Sequence, residues 1–252
     1  MKFLGIIPAR YASTRFPGKP LADIGGKSMI QRVYEQVKTC LDDVYVATDD
    51  ERIASAVRGF GGKVVMTSDQ HRSGTDRCLE AVQIIQGDFD VIINIQGDEP
   101  FIQASQIQAL KDCFLQDSST ELATLVKAFT PADGLEALRN PNSPKVALNI
   151  KGEAIYFSRS VIPYFRGVEP SQWLQLKTFY KHIGIYAYRT KTLGEIALLP
   201  QSPLELTESL EQLRWLENGY KIKTAVTDIE NLAVDTPEDL ERIRQYLTEK
   251  TV

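Results

Sequence analysis

Three cations crowd a short loop near the start of the chain, where Arg10, Arg15 and Lys19 follow an apolar run at residues 2–7. Like charges that are held close together repel, so a multiply charged anion between them would explain the arrangement. Ser13 adds a hydroxyl donor, and Gly18 and three nearby prolines would shape the backbone. The loop therefore predicts a polyphosphate site. A solvated surface loop is the competing interpretation.

Two carboxylates accompany this loop in the sequence. Asp98 follows the apolar run at residues 90–95, and Asp235 lies just before a helix start at Thr236 and Pro237. Magnesium in proteins typically takes one or two carboxylates plus phosphate oxygens, so the pair predicts a Mg²⁺ site beside the phosphates. For Asp98 the alternative is a helix cap. For Asp235 that role is already met by Thr236.

A second glycine-containing stretch, Gly26-Lys27-Ser28, looks like the end of a phosphate-binding P-loop. That motif needs a glycine five positions before Gly26, and Leu21 stands there. We therefore predict that Ser28 caps a helix.

The elements that would position these residues alternate in type along the first half of the chain. Hydrophobic spacing predicts strands at 2–7, 44–48, 63–67 and 90–95, and helices at 28–39, 50–58, 75–85 and 105–114. Such alternation is typical of an α/β protein with a mainly parallel sheet and helices on both faces. Loops after parallel strands meet at the carboxyl edge of the sheet, where ligands bind.

The second half of the chain is less regular. We predict a hairpin at 146–150 and 154–157, an irregular segment at 162–176, strands at 182–188 and 221–227, and helices at 202–217 and 236–248. The whole chain, 1–252, is expected to form one domain with a small lobe at about residues 130–190.

Composition narrows the class of protein. The 252 residues carry a net charge of −4, whereas a general nucleic-acid binder usually shows a basic field. No apolar run is long enough to span a membrane, and no signal peptide is evident. Cys40, Cys78 and Cys113 are isolated in the sequence, as expected of reduced thiols in a cytoplasmic protein.

Several segments together closely resemble the 3-deoxy-manno-octulosonate cytidylyltransferases, from residue 2 to about residue 245. Among them are IIPARYASTRFPGKPL, HRSGTDR, NIQGDEP, KHIGIYAYR, SPLELTESLEQLRWL and VDTPEDLE. The resemblance implies a Rossmann-like nucleotidyltransferase fold with a lobe that forms a homodimer. It also implies an enzyme that joins CTP to the sugar acid 3-deoxy-manno-octulosonate (Kdo), giving CMP-Kdo and pyrophosphate for lipopolysaccharide biosynthesis.

The same resemblance assigns roles to individual residues. Arg10, Ser13 and Lys19 would grip the triphosphate, with Arg15 as a further candidate, and Asp98 and Asp235 would hold Mg²⁺. The cytosine base would be recognised by Pro8, Ala9, Arg72, Ser73 and Gly74. The Kdo carboxylate would meet Arg159 and Arg166, and the rest of the sugar would meet Gln96, His182, Tyr186 and Glu211.

Alternatives remain for some of these residues and for the function. Ser73 is equally well explained as a helix cap. The alternative for His182 is a structural histidine, and the alternative for Glu211 is a solvated glutamate. The enzyme alternative is a cytidylyltransferase for sialic acid or 8-amino-Kdo. A non-catalytic nucleotide-binding regulator is a further alternative, although it would not need both Asp98 and Asp235. An NAD-linked oxidoreductase lacks support because no G-x-G-x-x-G follows a strand.

Overall fold

The computed structural model describes residues 1–12, 16–230 and 233–251. The chain divides into two compact units, one formed by Met1–Gln108 with Asn231–Val252 and the other by Ala109–Glu230. The predicted lobe at about residues 130–190 falls within the second unit. Among the described residues, none of the helices combines the length and the apolar character needed to cross a membrane.

The first unit is built around a parallel sheet. Its elements in chain order are β1 (Phe3–Ala9), α1 (Met29–Lys38), β2 (Asp43–Thr48), α2 (Glu51–Gly59), β3 (Val64–Met66), α3 (Gly74–Ile85), β4 (Val91–Asn94) and α4 (Ala104–Gln116), which continues into the second unit. The strands are ordered β3-β2-β1-β4, and each neighbouring pair is parallel. The predicted alternation of strands and helices in this half is confirmed.

Local sequence explains where the first long helix begins. The Ser28 hydroxyl accepts a hydrogen bond from the Gln31 amide at 3.4 Å, which confirms Ser28 as a helix cap rather than part of a P-loop. From there α1 buries one face, including Ile30, Val33 and Val37. These apolar side chains recur at the spacing of a helix with one side against the sheet.

The C-terminal segment returns to the first unit. Its helix, Pro237–Thr251, contributes Leu240 and Ile243 to a cluster with Ile24 and Met29, and Val234 joins the same cluster. Burial of these apolar side chains is what fixes the segment that carries Asp235. The Thr236 hydroxyl accepts from the Asp239 amide at 3.3 Å, as predicted for a helix cap.

The second unit has a mixed sheet. Its elements in chain order are β5 (Leu122–Ala128), α5 (Gly134–Arg139), β6 (Lys145–Leu148), β7 (Ala154–Ser158), α6 (Trp173–Leu176), β8 (Tyr180–Arg189), α7 (Thr190–Ile196), α8 (Pro203–Glu208), α9 (Gln212–Glu217) and β9 (Ile222–Val226). Strand β5 pairs with β8 antiparallel and with β9 parallel. The predicted hairpin is confirmed as β6 and β7.

The continuous helix predicted at 202–217 is wrong. The chain forms α8 and α9 instead, because Ser209 takes a left-handed conformation with φ of 51°. The two short helices are joined by a buried ion pair in which Arg214 donates to both carboxylate oxygens of Glu205, at 2.7 and 2.6 Å. Strand β5 and the helices α5 and α7 were not predicted. The segment 162–176, predicted as irregular, contains α6 at its end.

Candidate active site

A cavity of about 320 Å³ opens in the first unit at the carboxyl ends of β1 and β4. Its volume lies in the range of small-molecule sites. The lining brings together ten predicted site residues, namely Pro8, Ala9, Arg10, Lys19, Arg72, Ser73, Gly74, Gln96, Asp98 and Asp235. Two further predicted residues, Ser13 and Arg15, lie outside the described part of the chain.

The loop that follows β1 is closed on itself by a backbone hydrogen bond. The Gly18 amide donates to the Tyr11 carbonyl at 3.0 Å, and Gly18 has a φ of 73°, which favours glycine. The guanidinium of Arg52 lies 3.3 Å from the centre of the Tyr11 ring. These contacts fix the two ends of the loop, so that Lys19 begins a short 3₁₀ turn at the cavity.

Lys19 joins the two predicted metal ligands. Its ammonium nitrogen lies 2.7 Å from Asp98 Oδ2 and 3.4 Å from Asp235 Oδ1. The side chains of Lys19, Asp98 and Asp235 are 14%, 27% and 44% exposed, so this triad is accessible from the cavity. Two carboxylates against one ammonium leave a formal charge of −1.

The backbone explains why two acids so far apart in sequence meet. The Val234 amide donates to the Asp98 carbonyl at 3.0 Å and so holds the C-terminal segment against the loop after β4. In that loop, a Cβ at Gly97 would come within 2.9 Å of the Pro8 carbonyl oxygen. Glycine therefore allows the loops after β1 and β4 to approach closely.

The two acids suit a magnesium ion that is also held by phosphates. Among the residues that the structure describes, no group of three or more His, Cys, Asp or Glu side chains forms a metal site. Asp98 and Asp235 nevertheless place two hard oxygen ligands around one cation, the ammonium of Lys19. This matches the usual magnesium arrangement of one or two carboxylates completed by substrate phosphates and water.

The loop before α3 lines the cavity and also begins that helix. Ser73 and Asp76 form a capping box, with the Asp76 amide 3.1 Å from Ser73 Oγ and the Ser73 amide 3.2 Å from Asp76 Oδ2. The capping interpretation of Ser73 is therefore correct. A contact to a base remains a prediction for this residue. Arg72 beside it is exposed.

Sequence reasoning missed four residues of the cavity, namely Pro20, His71, Arg77 and Gly97. Arg77 is buried, forms an ion pair with Asp49 at 3.0 Å and donates a hydrogen bond to Thr67 at 2.6 Å, so it supports the wall of the cavity.

His71, which also lines the cavity, contacts Glu80. Burial would raise the pKa of Glu80, but hydrogen bonds from His71 and from the Ser68 amide lower it. His71 and Gly97 could have been predicted from the sequence, because each is next to a residue that was predicted to line the site.

In the second unit the structure brings together His182 and Tyr186 on strand β8. Their ring centres are 5.2 Å apart, although side chains four residues apart on an unbroken strand would be about 13 Å apart. A register shift causes the approach. One step along β5, from Leu125 to Thr124, corresponds to three steps along β8, from Ile183 to Tyr186. The two extra residues form a bulge that shortens the path and keeps both rings on one face.

Burial determines the ionisation of both rings. It lowers the pKa of His182 to about 3 and raises the pKa of the Tyr186 phenol well above its usual value. Both groups are therefore neutral at physiological pH, and both can act as hydrogen-bonding groups without charge.

The other residues predicted to contact the sugar, Arg159, Arg166 and Glu211, differ in their burial and in their hydrogen-bond partners. The Arg159 guanidinium donates to the carbonyls of Glu208, Pro141 and Ser209 at 2.7, 2.9 and 3.2 Å, so it joins segments of its own unit. Arg166 is exposed, and Glu211 is half-buried with Oε1 3.9 Å from Arg214 Nη2. Their contacts to a sugar remain predictions.

Comparison with known proteins decides the family. A sequence profile described as cytidylyltransferase matches residues 4–222. The chain belongs to the cytidylyltransferase family. It is 66% identical over 99% of its length to the whole 3-deoxy-manno-octulosonate cytidylyltransferase of Parabacteroides distasonis, and 64% identical over the full length of both chains to that of Bacteroides thetaiotaomicron.

A solved structure agrees with this assignment. CMP:2-keto-3-deoxy-manno-octonic acid synthetase complexed with CTP is 42% identical, with a TM-score of 0.91 over 99% of this chain and 100% of that one. A cytidylyltransferase from Leptospira borgpetersenii, at 18% identity and a TM-score of 0.65, shares the fold. The predicted Rossmann-like nucleotidyltransferase fold is thus confirmed, and this cytidylyltransferase is an enzyme.

Proposed function

We propose that this cytidylyltransferase transfers CMP from CTP to the anomeric hydroxyl of Kdo and releases pyrophosphate, for use in lipopolysaccharide biosynthesis. The observation that carries the proposal is the convergence of Lys19, Asp98 and Asp235 in one cavity that Arg10 also lines. The names of the full-length relatives and the solved synthetase–CTP complex support this choice of substrates.

The cavity residues have complementary tasks in this reaction. A triphosphate brings several negative charges, and catalysis of such a transfer depends mainly on positioning and on stabilising the charge that develops. Arg10 and Lys19 would bind phosphate oxygens, with Ser13 and Arg15 from the same loop. Lys19 would neutralise charge on the departing pyrophosphate.

Asp98 and Asp235 are the residues that would hold Mg²⁺. When bound, the ion supplies a Lewis acid that offsets phosphate charge and lowers the pKa of a coordinated hydroxyl. Without it, Lys19 partly neutralises both carboxylates. Lys19 therefore pairs with the two carboxylates in the free enzyme and would pair with the phosphates in the substrate complex.

Recognition of the two substrates involves different parts of the chain. Backbone groups at Pro8 and Ala9, with the loop of Arg72, Ser73 and Gly74, would contact the cytosine base. The residues that would contact the sugar hydroxyls are Gln96, His182, Tyr186 and Glu211. Arg159 and Arg166 would balance the sugar carboxylate.

The remaining predictions concern assembly and location. We propose a homodimer that works in the cytoplasm, on small-molecule substrates rather than on nucleic acid or membranes. Sedimentation velocity of the purified enzyme tests the dimer, because a species of 28.3 kDa would be the monomer.

Pyrophosphate release from a matrix of substrates tests the reaction. CTP, UTP and ATP would each be combined with Kdo, 8-amino-Kdo, sialic acid or no sugar, in the presence and absence of Mg²⁺. We expect release that requires CTP, Kdo and Mg²⁺ together. Faster release with sialic acid or 8-amino-Kdo would identify another sugar acid as the substrate, and release without any sugar would contradict transfer.

A further inference from the structure

Thr124 is a buried threonine that neither the sequence motifs nor the family comparison single out. Its side chain lies in β5 at the register shift opposite Tyr186, with no exposed surface. The hydroxyl oxygen is 2.9 Å from His182 Nε2, 2.8 Å from the Ile185 carbonyl oxygen and 3.2 Å from the Ile183 carbonyl oxygen. The hydroxyl thus links the ring of His182 to the bulge that brings this ring to Tyr186.

The single hydrogen of the Thr124 hydroxyl limits which of these hydrogen bonds it can donate. A threonine hydroxyl has one hydrogen to donate, and backbone carbonyls can only accept. The hydroxyl lies at hydrogen-bonding distance from two carbonyl oxygens that can only accept, those of Ile185 at 2.8 Å and Ile183 at 3.2 Å, so we assign its hydrogen to these bulge carbonyls. The same hydroxyl can then only accept from His182, which requires a proton on Nε2.

We propose that Thr124 is a positioning residue that holds His182 as the Nε2–H tautomer, so that Nδ1 is left to accept a hydrogen bond from a hydroxyl of the bound sugar acid. The role toward the sugar rests on the proposed function, but the tautomer does not. Phe157 and Tyr186 fix the ring further, with ring centres 5.1 and 5.2 Å from that of His182.

The tautomer assigns a particular kind of recognition to His182. A ring kept neutral by burial cannot neutralise the sugar carboxylate, and a ring with its proton on Nε2 cannot donate from Nδ1. His182 therefore selects a hydroxyl donor. The neighbouring Tyr186 phenol keeps its proton and can donate or accept, so the two rings together match a pair of sugar hydroxyls.

Nitrogen-15 NMR of the ligand-free enzyme tests the tautomer directly. Spectra of the full chain at neutral pH, with His71→Gln used to separate the signals of the two histidines, should show a protonated Nε2 and an unprotonated Nδ1 for His182. A proton on Nδ1, or on both nitrogens, would overturn the proposal. The result is read from the unaltered enzyme, and His71→Gln serves only to assign the two sets of histidine signals.

Substitutions then test whether Thr124 is the cause. Thr124→Val should allow the Nδ1–H tautomer to appear and should raise the KM for Kdo about tenfold, as expected for one lost hydrogen bond, with the KM for CTP unchanged. Thr124→Ser keeps the hydroxyl, so its His182 tautomer and its KM for Kdo should match those of the unaltered enzyme. The control is Thr224→Val. Thr224 is the cross-strand neighbour of Thr124, and its buried hydroxyl donates to the Gly152 carbonyl at 2.9 Å.

The proposed function and the role of Thr124 can be refuted separately. If the unaltered enzyme shows no Kdo-dependent turnover, the proposed function is wrong, while the NMR signals still decide the role of Thr124 on the ring. If turnover requires Kdo but Thr124→Val leaves both the tautomer and the KM for Kdo unchanged, the positioning role is wrong and the proposed function stands.

Discussion

Lys19 Nζ lies 2.7 Å from Asp98 Oδ2, so a cation of the opening loop is already paired with an acid at the end of β4. Asp235 is the second partner, at 3.4 Å. This arrangement explains how the loop concentrates positive charge without a bound anion. It also makes the acids and the phosphates competitors for the same ammonium.

Replacing Lys19 should separate these two roles. We expect Lys19→Met to reduce turnover by about 10²–10³-fold, the usual effect of losing one preorganised donor to developing charge. In the ligand-free protein, the same variant should gain more thermal stability from added Mg²⁺ than the unaltered enzyme does, because the ammonium no longer competes for the carboxylates.

The control for Lys19 is Lys27→Met, which removes an exposed lysine paired with the exposed Glu35. It should leave turnover and the response to Mg²⁺ unchanged. Turnover of Lys19→Met equal to that of the control would show that Lys19 does not act on the phosphates.

Removing one negative charge at Asp235 should impair catalysis rather than folding. Asp235→Asn keeps the shape of the side chain, but an amide is a poorer ligand for Mg²⁺ than a carboxylate. Turnover should fall strongly, whereas the melting temperature without metal should change little because Thr236 and Asp239 cap the helix.

Asp98→Asn should behave in the same way. The double variant should be little slower than either single one, because residues that act as a unit are not additive. Normal turnover of Asp235→Asn at saturating Mg²⁺, together with a lower metal-free melting temperature, would instead assign Asp235 a structural role.

The ion pair between Glu205 and Arg214 should contribute to stability. Burial would raise the pKa of Glu205, but the hydrogen bonds from Arg214 lower it, so the carboxylate stays charged. Arg214→Met leaves this buried charge without its partner and should reduce the free energy of unfolding by about 3–5 kcal/mol in urea titrations.

Two comparisons make the test of this pair specific. The double substitution Glu205→Gln with Arg214→Met should recover much of the loss, since no buried charge remains. Lys191→Met, which breaks an exposed pair with Glu195 at 3.6 Å, should change the free energy of unfolding by less than about 1 kcal/mol. Equal effects of Arg214→Met and Lys191→Met would refute a special role for the buried pair.

His182 should make the folded state sensitive to acid. Its pKa is lowered to about 3 by burial, whereas the unfolded chain has the ordinary value near 6.5. Between these values the unfolded state binds the proton and the folded state does not, so stability falls as pH falls. The free energy of unfolding should drop by about 1 kcal/mol from this residue between pH 6.5 and 5.5.

Urea titrations of His182→Gln and the unaltered enzyme across pH 5 to 8 measure this effect. The variant should lose less stability on acidification, whatever its stability at neutral pH. A difference between the two proteins that stays constant with pH would mean that the ring titrates in the folded state as it does in the unfolded chain, and would contradict the lowered pKa.

Local signals in the sequence were enough for much of the first unit. The caps at Ser28 and Thr236 and the alternation of strands and helices depend on neighbouring residues. The edge rule for parallel sheets then predicts that Asp98 and Asp235 meet. The pairing of both acids with Lys19 could not be predicted, because it depends on side-chain positions that only packing of the C-terminal segment determines.

Long-range contacts explain what was missed in the second unit. The break at Ser209 exposes backbone carbonyls at Glu208 and Ser209 whose donors come from Arg159, about fifty residues earlier. The bulge in β8 is likewise hydrogen-bonded to Thr124, which lies in another strand. Neither partner is close in sequence, so periodicity over a short window gives no sign of the interruption.

The fate of the CTP phosphates distinguishes transfer of CMP to Kdo from other reactions that consume CTP. The enzyme would be incubated with Mg²⁺, Kdo and CTP labelled at either the α- or the γ-phosphate, with Kdo omitted as the control. Transfer of CMP predicts that the α-label enters a product containing Kdo, that the γ-label leaves as pyrophosphate, and that both changes require Kdo. Retention of the α-label in CTP, or its release as CMP without Kdo, would rule out the proposed transfer.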